Sequence, residues 1–367
     1  MIHARFSDED WQLVVDRLGG AAAIEGSARR AKAFLRARVI ASATDLLRLI
    51  LAYCLGPGGL RLTAAWASAI GLAEISNVGL LQRLRRCGDW LGALVGQALA
   101  LGAPAASGGR LIRLIDATAV PQAAAAARRR NGLWRIHSAF DLPAERFGWF
   151  ELTDQHGGER LDRIPVEKGE IRIADRVYLQ PERIAAVIAA GGDVLVRAGW
   201  KTAGWLDSAG NRLDLIAVLR EGAAGGLIDR PIWLRRKDGG PVLALRLVAV
   251  KKSAPAAQAA RRKARRQAQQ GGHQIARDTL AAADWVILVT SLAPEAFATA
   301  DILALYRLRW RIELAFKRLK SLVGLAGPPG FDARSARSWV LAHLLMILVL
   351  EPLLDQFEDS PRRAAAA

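Results

Sequence analysis

The 367-residue sequence predicts an α/β fold, a mixed sheet carrying a β-rich insertion and preceded by a helical N-terminal region. Three observations predict it. Residues 1–107 follow the helical period and carry helix caps. From Arg110 onward, short strand-like segments alternate with helical ones, and two of the strands lead directly into aspartates. Between 193 and 290 come short apolar runs separated by Gly, Asp and Asn turns, before helical periodicity returns.

In the N-terminal region, Ser42-Ala-Thr-Asp45 offers caps before a helix over Leu46–Tyr53, which Gly56-Pro-Gly-Gly59 ends. A second helix over Leu62–Ile70 turns at Gly71, and Ser76-Asn77 caps a third over Val78–Trp90. Two helices joined by a short Gly-containing turn fit a helix-turn-helix, with Arg83, Arg85 and Arg86 on the second as candidate DNA contacts. An ordinary helical hairpin with a solvated basic side is the alternative. Leu101–Gly109 reads as a flexible linker.

The strands follow. Arg110–Ile115 leads into Asp116; Leu133–Phe140 and Arg146–Thr153 pair across a turn at Asp141-Leu-Pro143; Glu170–Ala174 leads into Asp175. A short helix is expected around Arg160–Val166, and another over Pro181–Ala190, with Pro at its start and Gly191-Gly192 past its end. Three strands, a helix, a strand and a helix fit a ribonuclease H-like sheet, although order alone admits other α/β folds. The insertion is expected to hold strands at Val194–Arg197, Leu213–Leu219, Ile232–Arg235 and Val242–Lys251, then a strongly basic helix over Ala256–Gln270. Asp284–Thr290 returns to the sheet.

A net charge of +17 points to a polyanionic partner, nucleic acid before membrane. Cys54 and Cys87 are too few for a disulfide framework or a metal knuckle, and both read as helix-packing residues in a reducing compartment. Trp339–Leu354 is apolar, but His343 and Glu351 interrupt it and it is short for a membrane span, so a buried core helix is expected. The N-terminus shows no secretory signal, and the protein is expected to be cytoplasmic and nucleoid-associated, with no membrane partner. No P-loop or dinucleotide-binding glycine pattern occurs.

The candidate chemistry centres on Tyr306–Lys320, a stretch rich in helix formers and free of Gly and Pro. On a continuous helix, Tyr306, Arg309, Glu313 and Lys320 fall at roughly 0, 300, 340 and 320° around the axis and share one face. Leu308, Ile312, Phe316 and Leu319 form the adjoining core face. A solvated helix laced with Glu–Arg pairs is the plainer reading of this stretch alone. Asp116, Asp175 and Glu313, however, would together bring three acids to one place, which is favourable mainly when divalent cations sit between them. Mg2+ prefers a few carboxylates together with substrate phosphate oxygens.

The spacing Tyr306-x2-Arg309-x3-Glu313-x6-Lys320 resembles the motif of bacterial insertion-sequence DDE transposases. Ile115-Asp116-Ala-Thr, Ile173-Ala-Asp175-Arg-Val-Tyr178 and Arg309-Trp-Arg-Ile-Glu313 agree with it, over about Ser76 to Lys320. The resemblance implies a ribonuclease H-like fold with a β-rich insertion before the Glu. It implies Asp116, Asp175 and Glu313 as the catalytic, metal-binding triad, with Mg2+ as cofactor and Mn2+ as a substitute. It also implies that Tyr306, Arg309 and Lys320 hold phosphates of double-stranded transposon ends, and that Trp285 stacks on a flipped base; packing against the sheet is the alternative for this ring. The expected activity is nicking at the element's ends and 3′-OH strand transfer to a target, by a homodimer in the DNA complex. Val177 departs from the pattern, standing where relatives commonly have Gly.

The expected domains are a helical DNA-binding region at 1–107, the first part of the core at 108–192, the insertion with its basic helix at 193–290, the second part of the core at 291–356 and a disordered tail at 357–367. The chain is expected to lack a substantial C-terminal dimerisation domain. A metal-dependent DNA nuclease and a catalytically inactive transposase-derived DNA-binding protein are the alternative functions.

Overall fold

Strand pairing in the computed structural model gathers the alternating segments into one nine-stranded mixed sheet. The structure describes residues 7–101, 109–121, 133–142, 144, 146–322, 324–325, 327–329 and 332–358, without the side chains of 101, 318–322 and 351–358. The Ala run at 123–127, Pro143 and residues 359–367 of the expected tail lie outside the described residues. The strands are β1 (Ile112–Pro121), β2 (Leu133–Asp141), β3 (Arg146–Thr153), β4 (Ile171–Ala174), β5 (Asp193–Ala198), β6 (Gly204–Leu206), β7 (Leu227–Arg235), β8 (Leu243–Lys251) and β9 (Trp285–Thr290). Their order is β3-β2-β1-β4-β5-β9-β8-β7-β6, parallel across β1-β4-β5 and antiparallel elsewhere. The first five strands have the ribonuclease H-like arrangement, and β9 joins β5 to the strands of the insertion, so those strands extend the same sheet.

The β1–β4 register is fixed by buried charge. Arg113 and Arg172 are direct partners across the two strands, 8% and 0% exposed. Both guanidinium groups donate to Glu170, itself 1% exposed, Arg113 at 2.9 Å. Arg113 also bonds Asp141 at 3.0 Å, and Arg172 the Pro165 carbonyl at 2.7 Å, so each fork is satisfied on more than one side. A slip of one residue would break these bonds and turn every β4 side chain to the opposite face.

Helices cover both faces of the sheet. On one face, Ile115, Ala139, Ala174, Val196 and Val289 pack with Ile184 and Val187 of α7 (Pro181–Ala189) and with α8 (Leu215–Glu221). On the other, Leu114, Ile136, Phe140, Ile173 and Leu288 share a core with six N-terminal helices and three C-terminal ones. The N-terminal helices are α1 (Asp8–Arg17), α2 (Ala21–Arg30), α3 (Ala43–Leu55), α4 (Leu60–Ala69), α5 (Asn77–Arg86) and α6 (Gly88–Leu101). The C-terminal ones are α11 (Thr299–Arg307), α12 (Trp310–Leu322) and α13 (Ala333–Glu358). Between β8 and β9 stand α9 (Ala254–Gln270) and α10 (Arg277–Ala283). Ser42 and Ser76 cap α3 and α5 as their sequence positions suggest, accepting from Asp45 N–H at 3.0 Å and Gly79 N–H at 3.1 Å. The apolar helix α13 is long enough to cross a membrane, but it packs against α3, α5, α6 and β3 and is a core helix.

Four local expectations are corrected. Leu213–Leu219 does not form a strand: Asp214 accepts from Ile216 N–H at 2.9 Å and nucleates α8, whose Leu215, Ile216, Val218 and Leu219 then face the core at helical spacing. The helix expected around Arg160–Val166 is only a 3-10 turn, Leu161–Arg163, because Pro165 cannot donate to a longer ladder. The helix expected over Val78–Trp90 breaks at Cys87, which caps α5. Tyr306–Lys320 is not one helix, since i→i+3 bonds from Leu308 to Leu305 and from Arg309 to Tyr306 tighten the chain between α11 and α12.

Two predictions test this framework. Glu170→Ala should cost about 3–5 kcal/mol in urea unfolding, because it leaves two guanidinium groups buried without their shared counter-charge. His343, buried in α13 with Nδ1 donating to the Trp339 carbonyl at 2.8 Å, is lowered to about 4 by burial, against the opposing effect of that bond. An unfolded His titrates near 6.5, so between about 6.5 and 4 the unfolded chain binds a proton that the native one does not. Its contribution is complete above about pH 6.5 and is lost as pH falls through about 4. His343→Leu should therefore reduce the stability drop between pH 7 and 5 by about 2 kcal/mol.

Candidate active site

Parallel pairing of β1 and β4 ends at Ile115 and Ala174, so Asp116 and Asp175 emerge side by side where that pairing stops. β1 itself continues to Pro121 alongside β2, so Asp116 lies within the strand instead of at its end, a correction to the sequence reading. Each aspartate uses Oδ1 for a local bond, Asp116 from Ala117 N–H at 2.8 Å and Asp175 from Val177 N–H at 2.9 Å. Among the described residues, neither Oδ2 atom accepts a hydrogen bond. The turn after Asp175 is a 3-10 turn, Arg176–Tyr178, and Lys32 is the only non-glycine with positive φ among the described residues. Val177 therefore fits its turn without backbone strain.

Burial raises the Asp116 carboxyl to about 6, opposed by the Ala117 N–H and Arg309 and supported by the negative charges of Asp175 and Glu159. This is a carboxylate group short of positive charge, offering hard oxygen donors, and it fits a divalent cation. The helical side supplies Arg309, whose guanidinium pairs with Glu313 and acts on Asp116. α12 packs against β1 through this region, with Ile312 and Phe316 in the core. Glu313 itself is 56% exposed and turned to Arg309. Accordingly, no group of three His, Cys, Asp or Glu side chains able to hold a metal converges among the described residues. The Tyr306 hydroxyl is buried near Arg309 and Arg197 without an aligned hydrogen bond, and burial raises its pKa.

The remaining candidates are spread more widely. The backbone of Lys320 lies in α12, but its side chain is outside the described residues. Trp285 starts β9 at the same end of the sheet as Asp175, since Ile287 pairs with Ala198 at the end of β5. Its ring is 5% exposed in the core of the opposite face and would have to leave that packing to stack on a base. Arg83, Arg85 and Arg86 sit on α5, which packs on α13; Arg85 pairs with Asp332 at 3.2 Å, and Arg83 is half-buried. The outward face of α5 is Val78, Gln82 and Arg86, so one of the three arginines points to solvent.

The sequence reading missed three groups beside the aspartates. Glu159, half-buried and paired with Arg135 at 3.3 Å, lies in a loop whose backbone Gln180 holds at 2.8 Å. Tyr178 is 1% exposed, with its hydroxyl unpaired and close to Glu159, Asp116 and Asp175. Glu159 belongs to no spaced motif, and Tyr178, although it closes the segment around Asp175, carries no expected role. Arg197, near the end of the third parallel strand, could have been found by asking which residue follows Asp116 and Asp175 across the sheet.

Comparison with known proteins places this geometry in a family. The family model of the transposase DDE domain matches residues 107–350. The transposase for insertion sequence element IS421 of Escherichia coli is 36% identical over 372 residues, spanning 99% of this chain and 98% of the relative. The InsL proteins of insertion sequence elements IS186A and IS186B of Escherichia coli K12 are likewise 36% identical, over 371 residues and the same shares. A ribonuclease H-like sheet, paired aspartates where β1 and β4 part and full-length similarity to these proteins agree: the chain belongs to the DDE transposases of bacterial insertion sequences.

Proposed function

We propose that this DNA transposase cuts the double-stranded ends of its element and joins them to target DNA through a centre made by Asp116, Asp175 and Glu313. The observation that carries this reading is the emergence of Asp116 and Asp175 where the β1–β4 ladder ends, with Arg309 acting on Asp116 and paired with Glu313. Asp116 and Asp175 would hold the divalent ion that the family uses, taken here as Mg2+ with Mn2+ as its substitute. Glu313 would complete the set once Arg309 releases it. When bound, such ions stabilise charge on the entering and leaving oxygens of in-line phosphoryl transfer.

The chain's own residues do the remaining work. Phosphate oxygens compete with Glu313 for the Arg309 guanidinium, a planar fork suited to either anion. Binding of the DNA end therefore both orients the scissile phosphate and frees Glu313. Lys320 supplies a further cation along α12, and Tyr306, its hydroxyl unpaired beside Arg309, can donate to a phosphate oxygen. In the first reaction water attacks phosphorus and the 3′-oxygen departs; in the second, that 3′-OH attacks a target phosphodiester and displaces a target 3′-oxygen. A homodimer in the DNA complex would bring the two ends together, in the nucleoid.

The test incubates purified protein with Mg2+, labelled duplexes carrying the terminal inverted repeats and a target plasmid. Nicks at the repeat boundary together with joined product are expected. Glu313→Gln should lower both by at least about 10³-fold while the ends stay bound, as it removes one charge and nearly keeps the shape. Full cleavage by Glu313→Gln would remove it from the centre. Arg309→Gln should weaken end binding and flatten its salt dependence by about one phosphate contact.

A further inference from the structure

One strongly charged surface is not used by that chemistry. α9 contains Arg261, Arg262, Lys263, Arg265 and Arg266 and no acidic residue. Its inner positions, Ala257, Ala260, Arg261, Ala264 and Ala268, are buried or half-buried and recur at helical spacing on the side packed against α10. Arg261 is tied down there by Asp284 at 2.6 Å. Arg262, Lys263, Arg265 and Arg266 are all exposed on the other side, and none forms an ion pair among the described residues. Arg262 stands three and four residues from Arg265 and Arg266, a like-charge arrangement that weakens a free helix and is relieved by a polyanion.

The position of α9 gives this charge a direction. Lys251 at the end of β8 pairs with Trp285 at the start of β9, so the α9–α10 hairpin springs from the end of the sheet that bears Asp175. Positive groups lead from one to the other. Tyr306 lies within the influence of both Arg309 and Arg197, and Lys252 within that of Arg197 and Asp284. Lys252 N–H also donates to the Asp284 carbonyl at 2.8 Å, beside the anchor of Arg261. From β4 to β8 is three strand spacings, roughly 14 Å. The 17 residues of α9 add about 26 Å of helix.

We propose that Arg197, Lys252 and the outer face of α9 form a track for the phosphate backbone of duplex DNA flanking the cleavage point, leading outward from the catalytic centre. The proposal rests on the DNA-cutting reading above and adds a second contact surface to it. The ligand is identified by charge complementarity: four exposed cations on one face, with no ion pair among the described residues, aligned with a basic edge that begins at the acidic centre.

The test replaces Arg262, Lys263, Arg265 and Arg266 together by Gln, which keeps helix propensity, in the full-length chain. A second variant replaces the three arginines by Lys and keeps Lys263, conserving charge. Fluorescence anisotropy follows binding of a terminal-repeat duplex and an unrelated duplex across a salt series, with circular dichroism as the control for folding. Each phosphate contact contributes about −0.9 to the slope of log K against log salt. The Gln variant should lose about 2–4 units of slope and bind both duplexes at least about tenfold more weakly at ~0.15 M salt. The Lys variant should bind like the parent. Unchanged slope and affinity in the Gln variant would overturn the track and leave the catalytic reading standing. Weak binding by a well-folded Lys variant would overturn a charge-only contact. If the parent binds neither duplex, both readings fail.

Discussion

The pairing of Arg113 with Arg172 across β1 and β4, bridged by the single buried carboxylate of Glu170, is the constraint on which the centre depends. Two like charges side by side inside a sheet are tolerable only in the register that lets both reach Glu170. That register fixes Ile115 beside Ala174 and so delivers Asp116 and Asp175 together. One end of the strand pair is a closed, satisfied ion network; the other holds carboxylates deficient in positive charge. The sheet thus carries rigidity at one end and reactivity at the other, with strands only a few residues long between them.

The helical side answers a different need. α12 is anchored through Ile312 and Phe316, while Glu313 on its neighbouring face is exposed and paired with Arg309. The tightened turn between α11 and α12 places Arg309 between the two helices, where it senses Tyr306, Glu313 and Asp116 together. A guanidinium in that position is a natural exchange point between protein carboxylates and DNA phosphates. The N-terminal helices and α13 share one core with the sheet face beneath these elements, so the centre stands on the larger of the two apolar clusters among the described residues.

Much of this was legible in the sequence because its signals were local. The short apolar runs before Asp116 and Asp175, the caps at Ser42 and Ser76 and the basic run of α9 each depend on neighbouring residues only. What was not legible required tertiary information. Leu213–Leu219 is apolar enough for a strand, and only the Asp214 cap distinguishes it as α8. The break at Leu308–Arg309 contains no Gly or Pro to announce it. Glu159 and Tyr178 reach the centre from a loop and a 3-10 turn, and Trp285 is drawn into the core although its strand end lies at the reactive edge.

A cation site built by the β1–β4 register, which Glu313 joins when DNA occupies Arg309, would be visible in a crystal structure of the protein with its terminal-repeat duplex and Mn2+, read by anomalous scattering. Anomalous peaks are expected against the Asp116 and Asp175 carboxylates, with Glu313 turned from Arg309 to the metal and Arg309 on a phosphate. Peaks that avoid Asp116 and Asp175, or a DNA-bound Glu313 still paired with Arg309, would contradict such a site.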